Sequence, residues 1–201
     1  MSVKISVFLL YVLIGVVIGF IVGVGVAREI VSPESRTTIT ETVYRVSQNN
    51  IILLDREYYE TLASWLSKAN KSVYIIMYVI KYDPKDPSDI VNNLLNILID
   101  LKKRGIEVRI LVDDETLRSY PETLNFLKKN NLSVRLDESS SKTTHAKIVV
   151  IDDQIVFIGS HNWTESALKY NHEVSVLIID HSTASILKRY FENIWSSGRS
   201  I

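Results

Sequence analysis

An uncharged N-terminal segment sets the first limit on what this chain can fold into. Residues 5–27 are 23 consecutive positions without Asp, Glu, Lys or Arg, and a helix of that length crosses the roughly 30 Å hydrocarbon layer of a bilayer. We therefore predict a transmembrane anchor over residues 1–27. A cleaved signal peptide is the alternative, because Gly25-Val26-Ala27 resembles a small-residue cleavage site, although the apolar run exceeds the roughly 7–15 residues of a signal-peptide core.

Glycines recur every four residues within this segment, at Gly15, Gly19 and Gly23. On a helix they share one face, and small residues in this pattern allow two membrane helices to pack closely. Glycine is also common in membrane helices in general, so the pattern alone leaves the pairing of two anchors open.

The charges on either side of the segment bear on its orientation. Lys4 and the amino terminus precede it and Arg28 and Arg36 follow it, so the positive charges that favour the cytoplasmic side compete. We expect the domain that follows to lie outside the cytoplasm. Residues 28–41 are polar, with Pro33 among several Ser and Thr, and are predicted to form a short tether.

Residues 42–201 remain for one folded domain of ordinary size. Apolar residues make up 46% of the chain, which is enough for a single core. Lys and Arg number 23, and Asp and Glu also number 23. No broad basic surface therefore points to a nucleic acid, although such a partner is not excluded. The absence of cysteine excludes disulfides and thiolate chemistry.

Apolar runs that suit buried strands alternate with amphipathic helical patterns along this domain. Residues 72–80 and 106–112 are predicted strands, and between them apolar residues recur at helical spacing over residues 90–101. A strand, a helix and a second strand in this order favour a right-handed parallel unit. The predicted fold class is α/β, with a mixed, largely parallel sheet flanked by helices.

Several local signals predict where helices begin. Asp55 is predicted to cap a helix whose apolar residues start at Tyr58. Pro121 should interrupt the helix predicted over residues 116–130. Asp113-Asp114-Glu115 could hold a divalent metal, but no histidine or further acidic cluster with ligand spacing accompanies it. Capping of the following helix is therefore the better interpretation.

The most specific chemistry lies between Thr144 and Thr164, where the spacing is H-x-K-x4-D-x6-G-S-x-N. The six spaced residues are His145, Lys147, Asp152, Gly159, Ser160 and Asn162. An imidazole, an ammonium, a hydroxyl and an amide in one short stretch suit the binding of a phosphodiester.

Strand geometry sorts these residues by direction. The apolar, β-branched run that begins at His145 predicts a strand, in which His145 and Lys147 share a face because side chains alternate. Asp152 has the opposite parity and should point away from whatever those two contact. Gly159 lets the backbone bend or approach a ligand closely. Thr164 suits the N-cap of a short helix whose amides could face an anion.

With these residues in view, the chain resembles the phospholipase D superfamily, because it matches that family's HKD motif at all six positions. The general layout is similar from about Asn50 to Ser197, and Asn171-His172-Glu173 resembles the family's N-x-E, whose carboxylate is thought to orient the catalytic histidine. The catalytic residues that the resemblance implies are His145, Lys147, Ser160, Asn162 and Glu173. Asp152 and Gly159 would support the site without touching the substrate, and no metal or cofactor is implied.

The family mechanism uses two copies of the motif, and this chain contains one. The resemblance therefore implies a homodimer in which two His145 side chains meet across a two-fold axis. One imidazole would attack phosphorus and form a phosphohistidine, while the other protonates the leaving oxygen, and water would complete the hydrolysis. The glycine face of the anchor would help to bring two copies together.

The motif identifies a phosphodiester but not the groups on either side of it. Single-motif members of the family include cardiolipin hydrolases and metal-independent endonucleases, so phospholipid and nucleic acid are both open as substrates. The near-neutral charge and the predicted anchor favour a phospholipid head group, with DNA or RNA as the alternative. A non-catalytic, membrane-tethered binding protein is the remaining class. The other histidines, His161, His172 and His181, are expected to be structural or incidental.

Overall fold

The computed structural model describes residues 44–47, 49–139 and 141–201. The predicted anchor, its glycines and the tether lie outside these residues. Within the described part of the chain, no helix is both long enough and apolar enough to cross a bilayer.

The described residues form strands and short to medium helices in alternation. The strands are β1 (Tyr44–Ser47), β2 (Asn50–Leu54), β3 (Ser72–Met77), β4 (Glu107–Val112), β5 (Ser133–Leu136), β6 (Lys147–Ile151), β7 (Ile155–Gly159), β8 (Val174–Ile179) and β9 (Arg199–Ser200). The helices are α1 (Glu57–Ser67), α2 (Ile90–Lys103), α3 (Asp114–Ser119), α4 (Pro121–Lys129), α5 (Glu165–Lys169) and α6 (His181–Ser197).

All nine strands of the described residues join one mixed sheet in the order β1-β2-β8-β7-β6-β3-β4-β5-β9. The α/β class is confirmed, but the expectation of a largely parallel sheet is wrong. Only β3–β4 and β4–β5 pair in parallel, and the other neighbours are antiparallel. The physical reason is connection length: β6 and β7 are joined by a tight turn, which reverses the chain, whereas the parallel pairs are joined through helices.

Helices cover both faces of this sheet. Alternate residues of β3 divide between two apolar clusters: Val73, Ile75 and Met77 pack with residues of α1, α2 and α4, and Tyr74 and Ile76 pack with residues of α6. Every residue of β3 is buried as a result. Burial on both faces explains why this strand is a continuous apolar run in the sequence.

The strand registers place the ends of several strands next to one another, along one edge of the sheet. Met77 at the end of β3 pairs with Lys147 at the start of β6, and Gly159 at the end of β7 pairs with Ser175 near the start of β8. Leu54, which ends β2, pairs with Val174. Because β6 is the middle strand of the nine, this edge has a rigid centre.

The helix-start predictions met different outcomes. Pro121 is the first residue of α4, so the predicted interruption is confirmed. Asp113 caps α3 and accepts a hydrogen bond from the Glu115 N–H at 2.8 Å, which confirms the capping interpretation. Asp55 is not a helix cap: the N-cap of α1 is Arg56, which makes no side-chain capping bond. The Asp55 carboxylate accepts a hydrogen bond from the Glu173 N–H instead. This partner is too distant in the sequence for a local capping rule to predict.

Candidate active site

His145 and Lys147 meet at the start of the central strand. Lys147 is the first residue of β6 and its side chain is buried, whereas His145 is exposed. The Lys147 Nζ lies 3.0 Å from Nδ1 and 3.2 Å from Nε2 of His145, and it donates to the His145 carbonyl oxygen at 2.7 Å. Burial lowers the pKa of Lys147, and the nearby charges of Glu173 and Asp113 oppose that shift. The structure therefore places a partly desolvated ammonium against an accessible imidazole.

Tyr78 completes this pair, and sequence reasoning did not single it out. Its ring centroid lies 4.5 Å from that of His145 and 4.9 Å from the Lys147 Nζ, within the range of a cation–π contact. Tyr78 follows the last residue of β3, and Met77 pairs with Lys147. The signal that could have found it is its position at the end of the strand that neighbours the motif.

Ser160 and Glu173 form a second pair, since Ser160 directly follows β7 and Glu173 directly precedes β8. The Ser160 hydroxyl donates to Oε2 of Glu173, and Asn171 Nδ2 donates to the other carboxylate oxygen at 3.1 Å. The Ser160 N–H donates to the Val174 carbonyl at 3.0 Å, so backbone pairing holds the two residues together. Within residues 49–139 and 141–201, the hydrogen bonds of Glu173 go to Ser160, Asn171 and Asp55 rather than to His145.

Asn162 carries an unused acceptor. Its side-chain Oδ1 is buried and has no hydrogen-bond partner among the described residues. An unsatisfied buried polar group lowers the free energy of unfolding by about 1–3 kcal/mol. The next residue, Trp163, is fully buried, and its N–H donates to the Val79 carbonyl at 3.0 Å. Asn162 is thus fixed beside the extension of β3. A buried, unpaired amide oxygen is the kind of group that a ligand can satisfy.

The short helix after Asn162 begins as the sequence predicts. Thr164 is the N-cap of α5 and its Oγ1 accepts the Ala167 N–H at 3.2 Å. Helix α5 has only five residues, so its dipole is small. The side chains of the motif, not this helix, supply the charge of the site.

Comparison with known proteins shows the family of the chain. Residues 62–195 match the family model described as the cardiolipin synthase, PLD-like domain. The chain belongs to this PLD-like family. A mitochondrial cardiolipin hydrolase of Chlamydomonas reinhardtii is 25% identical over 131 residues, which is 65% of this chain and 54% of the relative. A phospholipase D of Rickettsia conorii is 30% identical over 132 residues, 66% of this chain and 60% of the relative.

A solved structure shows a similar fold. NucT from Helicobacter pylori superposes with a TM-score of 0.64 at 26% identity, covering 76% of this chain and 98% of NucT. The chain spans about half to three-fifths of the length of the curated relatives it matches. The likeness therefore concerns the PLD-like domain and not the whole of those proteins.

The aspartate of the PLD-like motif lies at the other end of β6 from Lys147. Asp152 has a φ of +54°, and its carboxylate accepts backbone N–H groups from Asn70, Lys71 and Ser72 at 3.0, 2.8 and 3.0 Å. The structure thus separates Asp152 from His145 and Lys147. Its contacts fasten the β6–β7 turn to the start of β3.

Gly159 of the motif is required by a close approach of two strands. A Cβ atom at this position would lie 2.2 Å from Ser175 Oγ and 2.4 Å from the Val174 carbonyl oxygen. Both atoms belong to β8, which follows directly after Glu173. The absent side chain therefore sets how near Ser160 can come to Glu173.

Buried acids lie beneath the segment that leads to His145. Asp113 Oδ2 accepts the Thr144 N–H at 2.7 Å, which fixes the residue before His145. Asp114 and Asp137 are also buried, and Arg199 pairs with Asp114 at 2.5 Å and lies 3.6 Å from Asp137. Burial and the neighbouring aspartates raise the pKa of Asp137. In the described ranges no group of three or more His, Cys, Asp or Glu has the geometry to hold a metal ion.

A cavity of about 250 Å³ opens beside His145, between helix α6 and the segment that precedes the histidine. The lining residues are Glu138, Lys142, Thr143, Thr144, His145, Tyr190, Asn193, Ile194 and Ser197. The cavity gives His145 open space on this side.

The contacts of Asp152 predict that this motif residue contributes to stability rather than to the reacting centre. Asp152→Gly keeps the left-handed backbone accessible but removes the acceptor of three N–H groups. We expect a loss of about 2 kcal/mol in the free energy of unfolding, because hydrogen bonds to a charged group contribute about 1.5–3 kcal/mol. Urea unfolding followed by circular dichroism measures it.

The matched control is Asp153→Gly, in the same turn. Asp153 also has a positive φ, +58°, but its carboxylate makes ion pairs with Lys71 and Lys188, which are partly exposed and worth about 1 kcal/mol or less. Equal losses from the two variants would contradict the assignment.

Proposed function

We propose that this chain is a metal-independent phosphodiester hydrolase of the phospholipase D type that acts on phospholipid head groups through a phosphohistidine intermediate. The observation that carries the proposal is the buried Lys147 ammonium within 3.0–3.2 Å of both ring nitrogens of the exposed His145. A nucleophile that is accessible and a cation that is partly desolvated are what attack on an anionic phosphodiester requires.

The reaction proceeds in two displacements. The neutral imidazole of one His145 attacks phosphorus, so that an N–P bond forms and the bond from phosphorus to the leaving oxygen breaks. The partner subunit's His145, protonated, gives its proton to that oxygen. Water then attacks the phosphohistidine, the N–P bond breaks, and the proton of the water returns to the partner's imidazole.

Charge on the phosphoryl oxygens is stabilised by fixed groups around the two histidines. Lys147 supplies a cation that is buried in the protein, where an electrostatic contact is stronger than in water. Ser160 and Asn162 are assigned to donate hydrogen bonds from the Ser160 hydroxyl and the Asn162 Nδ2, because the Oδ1 of Asn162 can only accept. Glu173 is assigned to hold the tautomer of His145, and this role requires its carboxylate to exchange Ser160 for the imidazole as its hydrogen-bond donor. Asp152 and Gly159 support this arrangement without contacting the phosphodiester.

A phospholipid is favoured over a nucleic acid for two reasons. The chain has balanced charge, with 23 basic and 23 acidic residues, whereas nucleic-acid binding relies on an excess of positive charge. The predicted anchor would also hold the site close to lipid head groups. The alternative function is a single-motif endonuclease that cleaves DNA or RNA, and a non-catalytic, membrane-tethered binding protein is the third possibility.

Covalent trapping distinguishes these functions. With phosphate-labelled phospholipid vesicles and labelled single-stranded nucleic acid offered separately in EDTA, we expect an acid-labile, alkali-stable label on His145 from the lipid alone. The label should be lost in His145→Asn and kept in His181→Asn, a control at the exposed start of α6. Labelling from nucleic acid alone would establish the endonuclease, a requirement for Mg²⁺ would exclude the metal-free scheme, and no label from either substrate would leave the binding protein.

A shared site predicts the behaviour of mixed dimers. The chain carries one His-x-Lys pair in the motif, so both histidines of one site must come from two chains. Dimers of wild type with His145→Ala, isolated through two different affinity tags, should lose at least about 100-fold in kcat, since a positioned acid or base contributes about 10²–10⁴-fold. Half of the wild-type rate per mixed dimer would show that each chain works alone.

The chain organisation in this proposal is an anchor at residues 1–27, a tether at residues 28–41 and a PLD-like catalytic domain at residues 42–201. The anchor makes the enzyme a single-pass membrane protein with its domain outside the cytoplasm. Its face of Gly15, Gly19 and Gly23 supports the homodimer.

The full-length protein should therefore stay with membranes after alkaline carbonate extraction. Replacing Gly15, Gly19 and Gly23 with Leu should leave this retention unchanged but weaken dimerisation, because the larger side chains prevent the close approach of two helix backbones. Energy transfer between labelled copies in detergent measures the dimer. Extraction of the wild type into the supernatant would refute the anchor, and an unchanged dimer would show that the domains pair without help from the glycines.

A further inference from the structure

Asp55 binds the backbone of Glu173, the residue that precedes the neighbouring strand β8. Asp55 lies in the turn between β2 and α1 with a φ of +48°, a left-handed conformation that is unfavourable for most residues other than glycine. Its N–H donates to the Glu173 carbonyl at 2.9 Å, and its Oδ1 accepts the Glu173 N–H at 2.8 Å. Both backbone polar groups of Glu173 are therefore bound by one residue. These bonds offset the unfavourable conformation of Asp55.

The Asp55 carboxylate is held in its ionised form by the same contact. The hydrogen bond from the Glu173 N–H, followed by that from His172, lowers the pKa of Asp55. Its second oxygen, Oδ2, lies 3.2 Å from Nδ1 of His172. At neutral pH the carboxylate is thus available as an acceptor.

His161 binds the same turn from below. Its ring is fully buried and stacks on Tyr58, with ring centroids 4.3 Å apart and planes at 8°. Nε2 lies 2.8 Å from the Asp55 carbonyl oxygen and Nδ1 lies 2.8 Å from Ser175 Oγ. Because a carbonyl oxygen can only accept, Nε2 carries the proton and Nδ1 accepts from the Ser175 hydroxyl. Burial lowers the pKa of His161, which favours this neutral form.

These contacts close a ring that includes two residues of the active site. Asp55 binds the backbone of Glu173, and the Glu173 carboxylate accepts from Ser160. Ser160 is joined through its peptide bond to His161, which returns to Asp55. Each member is therefore held from two sides in this structure, and the Asp55 contacts with the Glu173 backbone stay in place when the Glu173 carboxylate turns from Ser160 to His145. Neither Asp55 nor His161 belongs to the six spaced residues of the motif.

We infer that Asp55 and His161 are positioning residues that set the location of Glu173 and Ser160 for the reaction. The inference rests on the proposed function. Neither side chain touches the phosphodiester in this scheme, and both act through Glu173 and Ser160. Positioning matters because a misplacement of about 1 Å at a reacting centre can cost about 100-fold in rate.

The test compares two replacements of Asp55 in the full-length protein in detergent, with bis(p-nitrophenyl) phosphate as a small substrate that lacks both head group and base. Asp55→Gly permits the left-handed backbone but removes the carboxylate that binds the Glu173 N–H. Asp55→Asn keeps an oxygen acceptor and tolerates the same backbone. We expect kcat to fall at least about tenfold in Asp55→Gly with KM changed less than about threefold, since Lys147 still binds the anion. Asp55→Asn should stay within about threefold of the wild-type kcat.

His161 offers an independent pair of variants. His161→Gln can still donate to the Asp55 carbonyl, whereas His161→Leu cannot, and kcat should therefore be higher in the glutamine variant. Asp153→Gly is the control for a left-handed aspartate away from the ring and should keep the wild-type kcat. All rates are measured at a temperature where circular dichroism shows each variant to be folded.

The outcomes separate this inference from the proposed function. A wild type that hydrolyses no phosphodiester overturns the proposed function and the positioning role with it. An active wild type overturns the positioning role alone if Asp55→Gly is as fast as Asp153→Gly, if Asp55→Asn is as slow as Asp55→Gly, or if the loss appears in KM rather than in kcat.

Discussion

The contact between the Lys147 ammonium and His145 is the interaction on which the site depends. A buried ammonium needs partners, because desolvation of a charge is costly, and here it finds the His145 carbonyl oxygen at 2.7 Å and the ring nitrogens. These contacts place the ammonium against the imidazole without burying the ring. The fold contributes by making Lys147 the first residue of the middle strand, where it pairs with Met77 of β3 and the next residue, Ile148, pairs with both β3 and β7.

The rest of the described structure supports that edge of the sheet. Asp113 holds the Thr144 N–H and so fixes the approach of the chain to His145. On the other side, Ser160 and Glu173 are brought together by the pairing of β7 with β8. Charged and polar groups of the site therefore come from the ends of neighbouring strands, while the strands themselves are apolar and supply rigidity. This division explains why a largely buried sheet can present so many polar side chains at one place.

Sequence reasoning could predict what depends on local periodicity and spacing. The α/β class, the restart at Pro121 and the cap at Asp113 all follow from signals a few residues apart. His145 and Lys147 also meet, but the predicted strand over both is wrong, because β6 begins at Lys147 and His145 precedes it. Sequence reasoning could not predict what depends on contacts between distant segments. The sheet proved largely antiparallel because turns as short as that after Ile151 reverse the chain. The signal at Asp55 indicated a helix cap because its actual partner, Glu173, lies 118 residues away in the sequence. Tyr78 was one of two tyrosines in an apolar run, and nothing in the sequence distinguished it from the other.

The close approach at Gly159 has a consequence for how variation in this chain would be interpreted. Any side chain at that position would press on Ser175 and Val174 and push away the strand that carries Glu173. A scan of substitutions would therefore group position 159 with the reacting residues, although glycine contributes no functional group. The distance between the Ser160 hydroxyl and the Glu173 carboxylate depends on the absence of a side chain at position 159. The site therefore constrains this glycine as strictly as it constrains its polar residues.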